Sequence, residues 1–438
     1  MGTFAMVALA VLAFAADPAA QTPHLTQRLT MDEVVRMAVE SSSALKAARA
    51  RARGGEDQAK SLRGRLLPSV NLSDEWQRWD SRFYPELKLP GSPQPASFLA
   101  RDLSTNTFVA ALGQPILGLL HLSSDRAALS NTAEASTFDA KTVEANVADA
   151  VRTQFVRMFE ARALAGVARA SQAQLGEQIA VAKEKLAAGV LTRADVLRLD
   201  VAAANARQQE IQASAAEQVS RADLLLSLER DPEDTSIEFI EPVTPEAADA
   251  VKDDVASLER RALHQRSEVH SATSAAEAAS ARSRARSYDL LPDVDLEAGY
   301  MHMTGQTFVK TDSAFVGIKA GWQIWDWGAR WYQHRAAQAQ ATAAREQVDD
   351  TRRHIRLEVA ARLANVRATA SALETGRTAI GSAEEAYRVT TVLLAAGSAN
   401  TTDLLDAQSA LTQARLNFAR ARYEYSLARI SLARALGE

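Results

Sequence analysis

Gly397–Arg415 reads GSANTTDLLDAQSALTQAR, and Gly189–Arg207 reads GVLTRADVLRLDVAAANAR. Each has Gly in position 1, Asp in position 7 and Leu in position 9, and the two begin 208 residues apart (397 − 189). In both, a polar turn separates two long Ala-rich patterns of helical period. The recurrence indicates two copies of one helical hairpin and sets the plan for the whole chain.

The 438 residues carry 24% charged side chains and a net charge of −4. That is enough chain for a sizeable core or two domains. The near-neutral balance gives no support for nucleic-acid binding. The chain has no Cys, so thiol catalysis, Cys-based metal sites and an N-terminal lipidated Cys are excluded. Residues 1–15, MGTFAMVALAVLAFA, are apolar, end in Ala13-Phe14-Ala15 and lack a basic start. They are expected to be a secretory signal, being shorter than the ~20 residues of a membrane helix. Residues 16–28 are expected to be an extended leader.

The first repeat is assigned to 29–230. A helix is predicted from Leu29-Thr30, with Thr30 and Glu33 at capping-box spacing, to just before Pro68. Gly54-Gly55 within it marks a bend or a close contact. The period then changes to two: Val70, Leu72 and Trp76 share one face, interrupted by Asp74, and Ser69, Asn71, Ser73, Glu75 and Gln77 share the other. A second alternating run follows a Pro/Gly/Ser-rich loop, giving a hairpin over 69–114. Long helices are predicted over 121–188 and 193–228, joined by a tip at 189–194. Residues 231–247, DPEDTSIEFIEPVTPEA, form an irregular acidic linker, within which Ile237-Glu238-Phe239 is expected to be extended. The second repeat, 248–438, follows the same plan: a helix over 249–287, a hairpin over 293–325, a helix over 329–395, a tip at 397–402 and a last helix from Thr402 to Leu436. The first hairpin begins with LLPSVNL at 66–72 and the second with LLPDVDL at 290–296.

All six Trp residues, Trp76, Trp79, Trp322, Trp325, Trp327 and Trp331, lie in or beside the strand segments. Two-faced strands of about ten residues with flanking aromatics suit a membrane β-barrel. Four strands cannot close one, and open edges are not tolerated in lipid, so the chain is expected to oligomerise. Met301, His302 and Met303 alternate faces and cannot chelate together. No Ser/His/Asp set or phosphate loop occurs, and neither an enzyme activity nor a cofactor is expected.

Taken together, these features resemble the TolC family of outer-membrane efflux channels. The markers are LTMDEVVRMAVESSSALKAARA at 29–50, the LLP-to-strand junctions at 66 and 290, IWDWGAR at 324–330, and the tips at 189 and 397. The resemblance covers about 29–437. It implies a mixed α/β membrane channel: a homotrimer whose twelve-stranded β-barrel in outer-membrane lipid continues as a twelve-helix antiparallel coiled-coil α-barrel in the periplasm. The linker would join an equatorial zone. The implied partners are a periplasmic adaptor and an inner-membrane pump of RND or ABC type, with the channel as a passive conduit.

The resemblance also implies residue roles. Asp403 and Asp406 would line the narrow periplasmic end as two rings of carboxylates favouring cations; on residue grounds alone they are equally first-turn acids of the last helix. Gly189, Thr192, Asp195, Arg198, Gly397, Thr401 and Thr402 would form the tips that meet the adaptor. Helix-end chemistry by itself accounts for the glycines, and for Thr192 and Thr401 or Thr402 as caps. Where the second tip has Asp406, the first has Arg198. The basic residue expected two places after the glycine is Ala399, leaving Arg193 or Arg198 to supply a latch. Alternatives from the sequence are a type I protein-secretion channel and, in a different class, a structural coiled-coil envelope protein without a pore; the duplicated two-faced hairpins oppose the latter. A periplasmic adaptor would need further domains between its helices.

Overall fold

A computed structural model describes residues 27–87, 90–91, 95–243 and 254–438. The proposed signal segment, residues 16–26 of the leader and residues 244–247 of the linker lie outside them. The elements follow in order β1 (Gln27–Leu29), α1 (Met31–Ser41), α2 (Ser43–Arg65), β2 (Ser69–Arg78), β3 (Glu86–Leu87), β4 (Ala96–Ser97), β5 (Arg101–Pro115), α3 (Gly118–Ala187) and α4 (Arg193–Ser227). Then come β6 (Ile237–Phe239), α5 (Val255–Gln265), α6 (Ser267–Tyr288), β7 (Asp293–Gln306), β8 (Asp312–Gly321), α7 (Ala329–Ala395) and α8 (Thr401–Leu436).

The 70 residues of α3 form one unbroken helix, about 105 Å long at 1.5 Å per residue. No Pro interrupts it, and helix formers dominate. Such a helix cannot be enclosed by one globular core. Its apolar residues instead meet different partners along its length. Midway, Val151, Phe155, Val156 and Phe159 pack with Val34, Val35 and Ala38 of α1, Leu224 and Leu225 of α4, and Ile237 and Phe239 of β6. A matching cluster in the second repeat joins Leu258 and Ala262 of α5, Ile355, Val359 and Leu363 of α7, and Tyr425 and Leu432 of α8. These two clusters form a belt around the middle of the molecule.

Three expectations change here. First, the described residues begin with a strand, Gln27–Leu29, ahead of the first helix. β1 pairs in parallel with β6, Gln27 opposite Ile237 and Leu29 opposite Phe239. Thr30 then starts α1, its N–H and hydroxyl both donating to Glu33 at 2.8 Å. The leader end and the linker are thus a two-stranded clasp, not free chain. Secondly, each predicted first helix is two helices, interrupted at Ser42 in one repeat and Arg266 in the other by a single residue with ψ of 112° and 124° respectively. Ser42 Oγ accepts from Leu45 N at 3.3 Å and caps α2. No Pro or Gly marks either break, so periodicity runs through both. Thirdly, Gly54-Gly55 marks a close contact. α2 continues through the pair, and a Cβ on Gly55 would lie 3.3 Å from Ala133 Cα of α3.

Candidate functional site

The two hairpins combine into one antiparallel sheet in the order β2-β5-β7-β8. Register fixes its faces. Val70 lies opposite Leu112, Leu72 opposite Ala110 and Trp76 opposite Asn106. Leu112 and Ala110 face Ala298 and Tyr300, which face Val316 and Ala314. One surface is therefore mainly apolar across all four strands, interrupted by Asp74, Asn106 and the His302–Asp312 pair. The other carries Asn71, Ser73, Glu75, Thr107, Met303, Asp295, Glu297 and Lys319. Val70, Leu72, Val316 and Ile318 are 69–77% exposed. An apolar face left this open in one chain must be covered by something other than the chain itself. β2 and β8 are the sheet edges, each with one unpaired side. Met301 and Met303 fall on the polar face and His302 on the other, where its Nδ1 meets Asp312 at 2.8 Å.

β8 ends at Gly321, so Trp322 and Ile324 fall beyond the strand predicted to reach 325. Trp322, Trp325, Trp327 and Trp331 gather at this end of the sheet, Trp327 being 85% exposed. The junction is tied by Asp326, which accepts from Gly328 N and Arg330 N at 3.1 Å and from Arg330 Nε at 2.9 Å. Trp76 lies toward the other end, on the apolar face. Trp79 differs from the expected interface role: three residues after Trp76, it turns to the polar face, and its Nε1 donates to Thr105 Oγ1 at 3.2 Å.

At the opposite end of the long helices, the two tips share one construction. Gly189 and Gly397 adopt φ of +75° and +74°, and the next residues close back onto the helix, Val190 N to Lys185 O at 2.9 Å and Ser398 N to Leu393 O at 2.8 Å. Left-handed backbone and this closure are the chemistry for which glycine ends a helix. Thr192 then caps α4, its Oγ1 accepting from Asp195 N at 3.3 Å and its hydroxyl donating to Asp195 Oδ2 at 2.6 Å. In the second tip the cap is Asn400, not Thr401 or Thr402: its Oδ1 accepts from Thr402 N at 2.8 Å and Asp403 N at 3.0 Å. Asn outranks Thr as a cap, and it stands where Thr192 stands in the first tip. Thr401 is 2% exposed, and its hydroxyl lies toward Asp195 of the first tip instead of capping α8.

The acids divide by what they bond. Asp403 Oδ2 accepts from Asn400 N at 2.9 Å, so Asp403 completes a capping box. Asp195 does the same in the first tip, and hydrogen bonds from the Thr192 hydroxyl and amide hold its carboxyl below the ordinary value. Asp406, one turn on, is exposed and has no hydrogen bond or ion pair among the described residues. Arg198 stands 3.7 Å from Asp195 and donates to Thr402 Oγ1 at 3.2 Å, joining the two tips within one chain. Between the hairpins lies a cavity of about 470 Å³ bounded by Val181, Leu191, Leu199, Tyr387, Leu394 and Thr401. Gln178 Nε2 donates to Tyr387 Oη across it at 2.6 Å; no local signal marks this link, because the two residues lie on helices of different repeats.

The profile of the outer membrane efflux protein family matches residues 34–228 and 258–438. The chain belongs to this family. Among solved structures, its fold is similar to the outer-membrane channel OprN, at 18% identity and a TM-score of 0.79, over 93% of this chain and 89% of that one. It is likewise similar to the Campylobacter jejuni CmeC outer membrane channel, at 14% identity and a TM-score of 0.78, over 93% and 85% of the two chains. For the outer membrane protein VceC from Vibrio cholerae the values are 17%, 0.78, 93% and 96%. No curated protein matches the sequence at a significant level. As an outer membrane efflux protein, the chain is an outer-membrane channel. Its two-faced sheet is the part suited to lipid, and its long helices form the periplasmic part. Among the described residues, no helix is long and apolar enough to cross a membrane.

Proposed function

We propose that this channel is the outer-membrane exit duct of a tripartite efflux pump, passively conducting compounds that an inner-membrane pump of RND or ABC type delivers through a periplasmic adaptor. The observation that carries the reading is the two-faced sheet with an unpaired edge on each side. Open edges leave backbone groups unsatisfied in hydrocarbon. Pairing β8 of one copy with β2 of the next is antiparallel, continues both faces and leaves no edge when the ring closes. Three copies give twelve strands, with the long helices continuing the wall into the periplasm.

In that assembly the tips form the entrance. Asp406, exposed and unpaired, supplies the inner ring of carboxylates; Asp403 adds a second ring whose side chains are held by the capping box. Repeated carboxylates at a constriction favour cations. The cavity between the hairpins, with Thr401 on its wall, suits a helical-hairpin tip of the adaptor, with Gly189, Thr192, Asp195, Arg198, Gly397, Thr401 and Thr402 around it. Trp76 at one end and Trp322, Trp325, Trp327 and Trp331 at the other are the interfacial aromatics.

Reconstitution of the purified oligomer in planar bilayers tests the reading. Trimer-dependent conductance is expected, and its absence refutes the duct. Asp403→Ala with Asp406→Ala is expected to lower cation preference; an unchanged preference removes both residues from the constriction.

A further inference from the structure

We propose that Trp79 and Arg101 form a basic collar at the outer mouth of the barrel, and that Arg101 is the residue that discriminates charge at the exit. This rests on the pore reading, in which the polar face of the sheet is the lumen.

Register places Trp79; Arg101 lies past an irregularity in the β5–β7 pairing between Arg101 and Asn106 and is placed by its contact with the Trp79 ring. Gln77 pairs with Thr105 on the polar face, and Trp79, two residues further on, reaches the same Thr105 hydroxyl at 3.2 Å. The Arg101 guanidinium carbon lies 3.6 Å from the Trp79 ring centroid, within cation–π range. Thr105 is 5% exposed, the one buried residue in the described four-stranded sheet. The most covered position of the wall thus lies on the polar side, at the end remote from the helices.

The stack is held by backbone. Trp79 N donates to Leu103 O at 2.8 Å, Phe83 N to Arg101 O at 3.0 Å, and Thr307 N to Ala100 O at 3.2 Å. Phe98 and Phe308 meet edge to face with centroids 4.7 Å apart, tying the loop of the first hairpin to the tip of the second. Arg101 is therefore carried on a fixed strand end.

Its charge is uncompensated. Neighbouring Arg82 is paired with Asp102 at 2.9 Å. Arg101 has no carboxylate partner among the described residues, and its Nε has no hydrogen-bond partner. Elsewhere on the polar face the strands carry Glu75, Asp293, Asp295 and Glu297 against Lys319. An acidic wall therefore ends in one unpaired guanidinium per chain, beside an indole. Such a collar opposes the exit and re-entry of small cations and favours organic anions with planar groups, which can pair with the guanidinium and stack on the ring.

The test is the reversal potential of single channels under a KCl gradient, with oligomer content of each variant checked on a native gel. Arg101→Gln is expected to raise the K⁺/Cl⁻ permeability ratio at least about twofold, the scale expected for charges several ångströms from an ion in high dielectric. Arg101→Lys keeps the charge and is expected to leave the ratio near that of the wild type. If the wild type does not conduct, the pore reading fails and the collar with it. If the wild type conducts and Arg101→Gln assembles with an unchanged ratio, the collar alone is overturned.

Discussion

Replacing Glu268 by Gln should loosen the junction between α5 and α6 by about 3 kcal/mol. Glu268 Oε1 accepts from Arg266 Nη2 at 2.9 Å and Arg434 Nη2 at 2.6 Å, and Oε2 accepts from Arg266 Nε at 3.2 Å. Arg266 also reaches Glu358 and is only 7% exposed. Burial of the Glu268 carboxylate favours its neutral form, but hydrogen bonds from Arg266 and Arg434 outweigh burial and bring the pKa from 4.5 to about 2. That fall corresponds to about 3 kcal/mol of preference for the charged group in the fold. Because the folded pKa is depressed, this stabilisation is complete above about pH 4.5 and is lost as pH falls toward 2. Glutamine keeps the shape, removes the charge at every pH and leaves Arg266 buried with Glu358 as its remaining acid. The assay is hydrogen exchange on the oligomer in detergent at pH 7, followed over residues 255–288. Openings that release this junction should become roughly 100-fold more frequent. Protection in the variant within about threefold of the wild type would refute the assignment of that stability to the Arg266–Glu268–Arg434 cluster.

Asn400→Ala removes the acceptor for two first-turn amides and should cost about 1 kcal/mol of local stability at the second tip; amide exchange over 401–404 should accelerate roughly fivefold, and unchanged exchange would mean that other groups cap α8. Ile318→Arg places a charge on the apolar face and should cost about 2–4 kcal/mol of membrane assembly. Lys319→Gln, one residue on and on the polar face, should leave assembly intact; equal amounts of membrane-inserted oligomer for both variants would contradict the assigned faces. Arg198→Ala removes the tip-to-tip hydrogen bond to Thr402. Being exposed, that contact contributes under about 1 kcal/mol to stability, but its loss should increase time-averaged conductance, and unchanged conductance would exclude it as a latch.

Much of the architecture was legible because it rests on local signals. Long Pro-free runs made α3 and α7 readable as single helices. The switch to period two at Ser69 and Asp293 gave the strands and the composition of both faces. The paired glycines at 189 and 397 gave the tips. What stayed hidden involved partners distant in sequence. The β1–β6 clasp joins segments on either side of the first repeat; Ile237–Phe239 reads as extended, but nothing local names Gln27–Leu29 as its partner. The helix breaks at Ser42 and Arg266 carry no Pro or Gly, and the ion-pair cluster around Arg266 draws on residues from α6, α7 and α8.

The same division holds at the candidate site. The sequence by itself determined that two acids stand in the first turns of α8, because their spacing from Gly397 is fixed by the chain. The bond from Asn400 N to Asp403 is a local capping box; only the tertiary structure decided that Asp406 stays unpaired, since that depends on which side chains the neighbouring helices bring near it. Likewise, which strand residues share a face is legible in the sequence, because side chains alternate along any strand. That Arg101 lies over Trp79 is a contact between strands. Which face Trp79 occupies follows from a backbone register that continues past the regular end of β2, and register is set by pairing between strands, not by the residues of either strand alone.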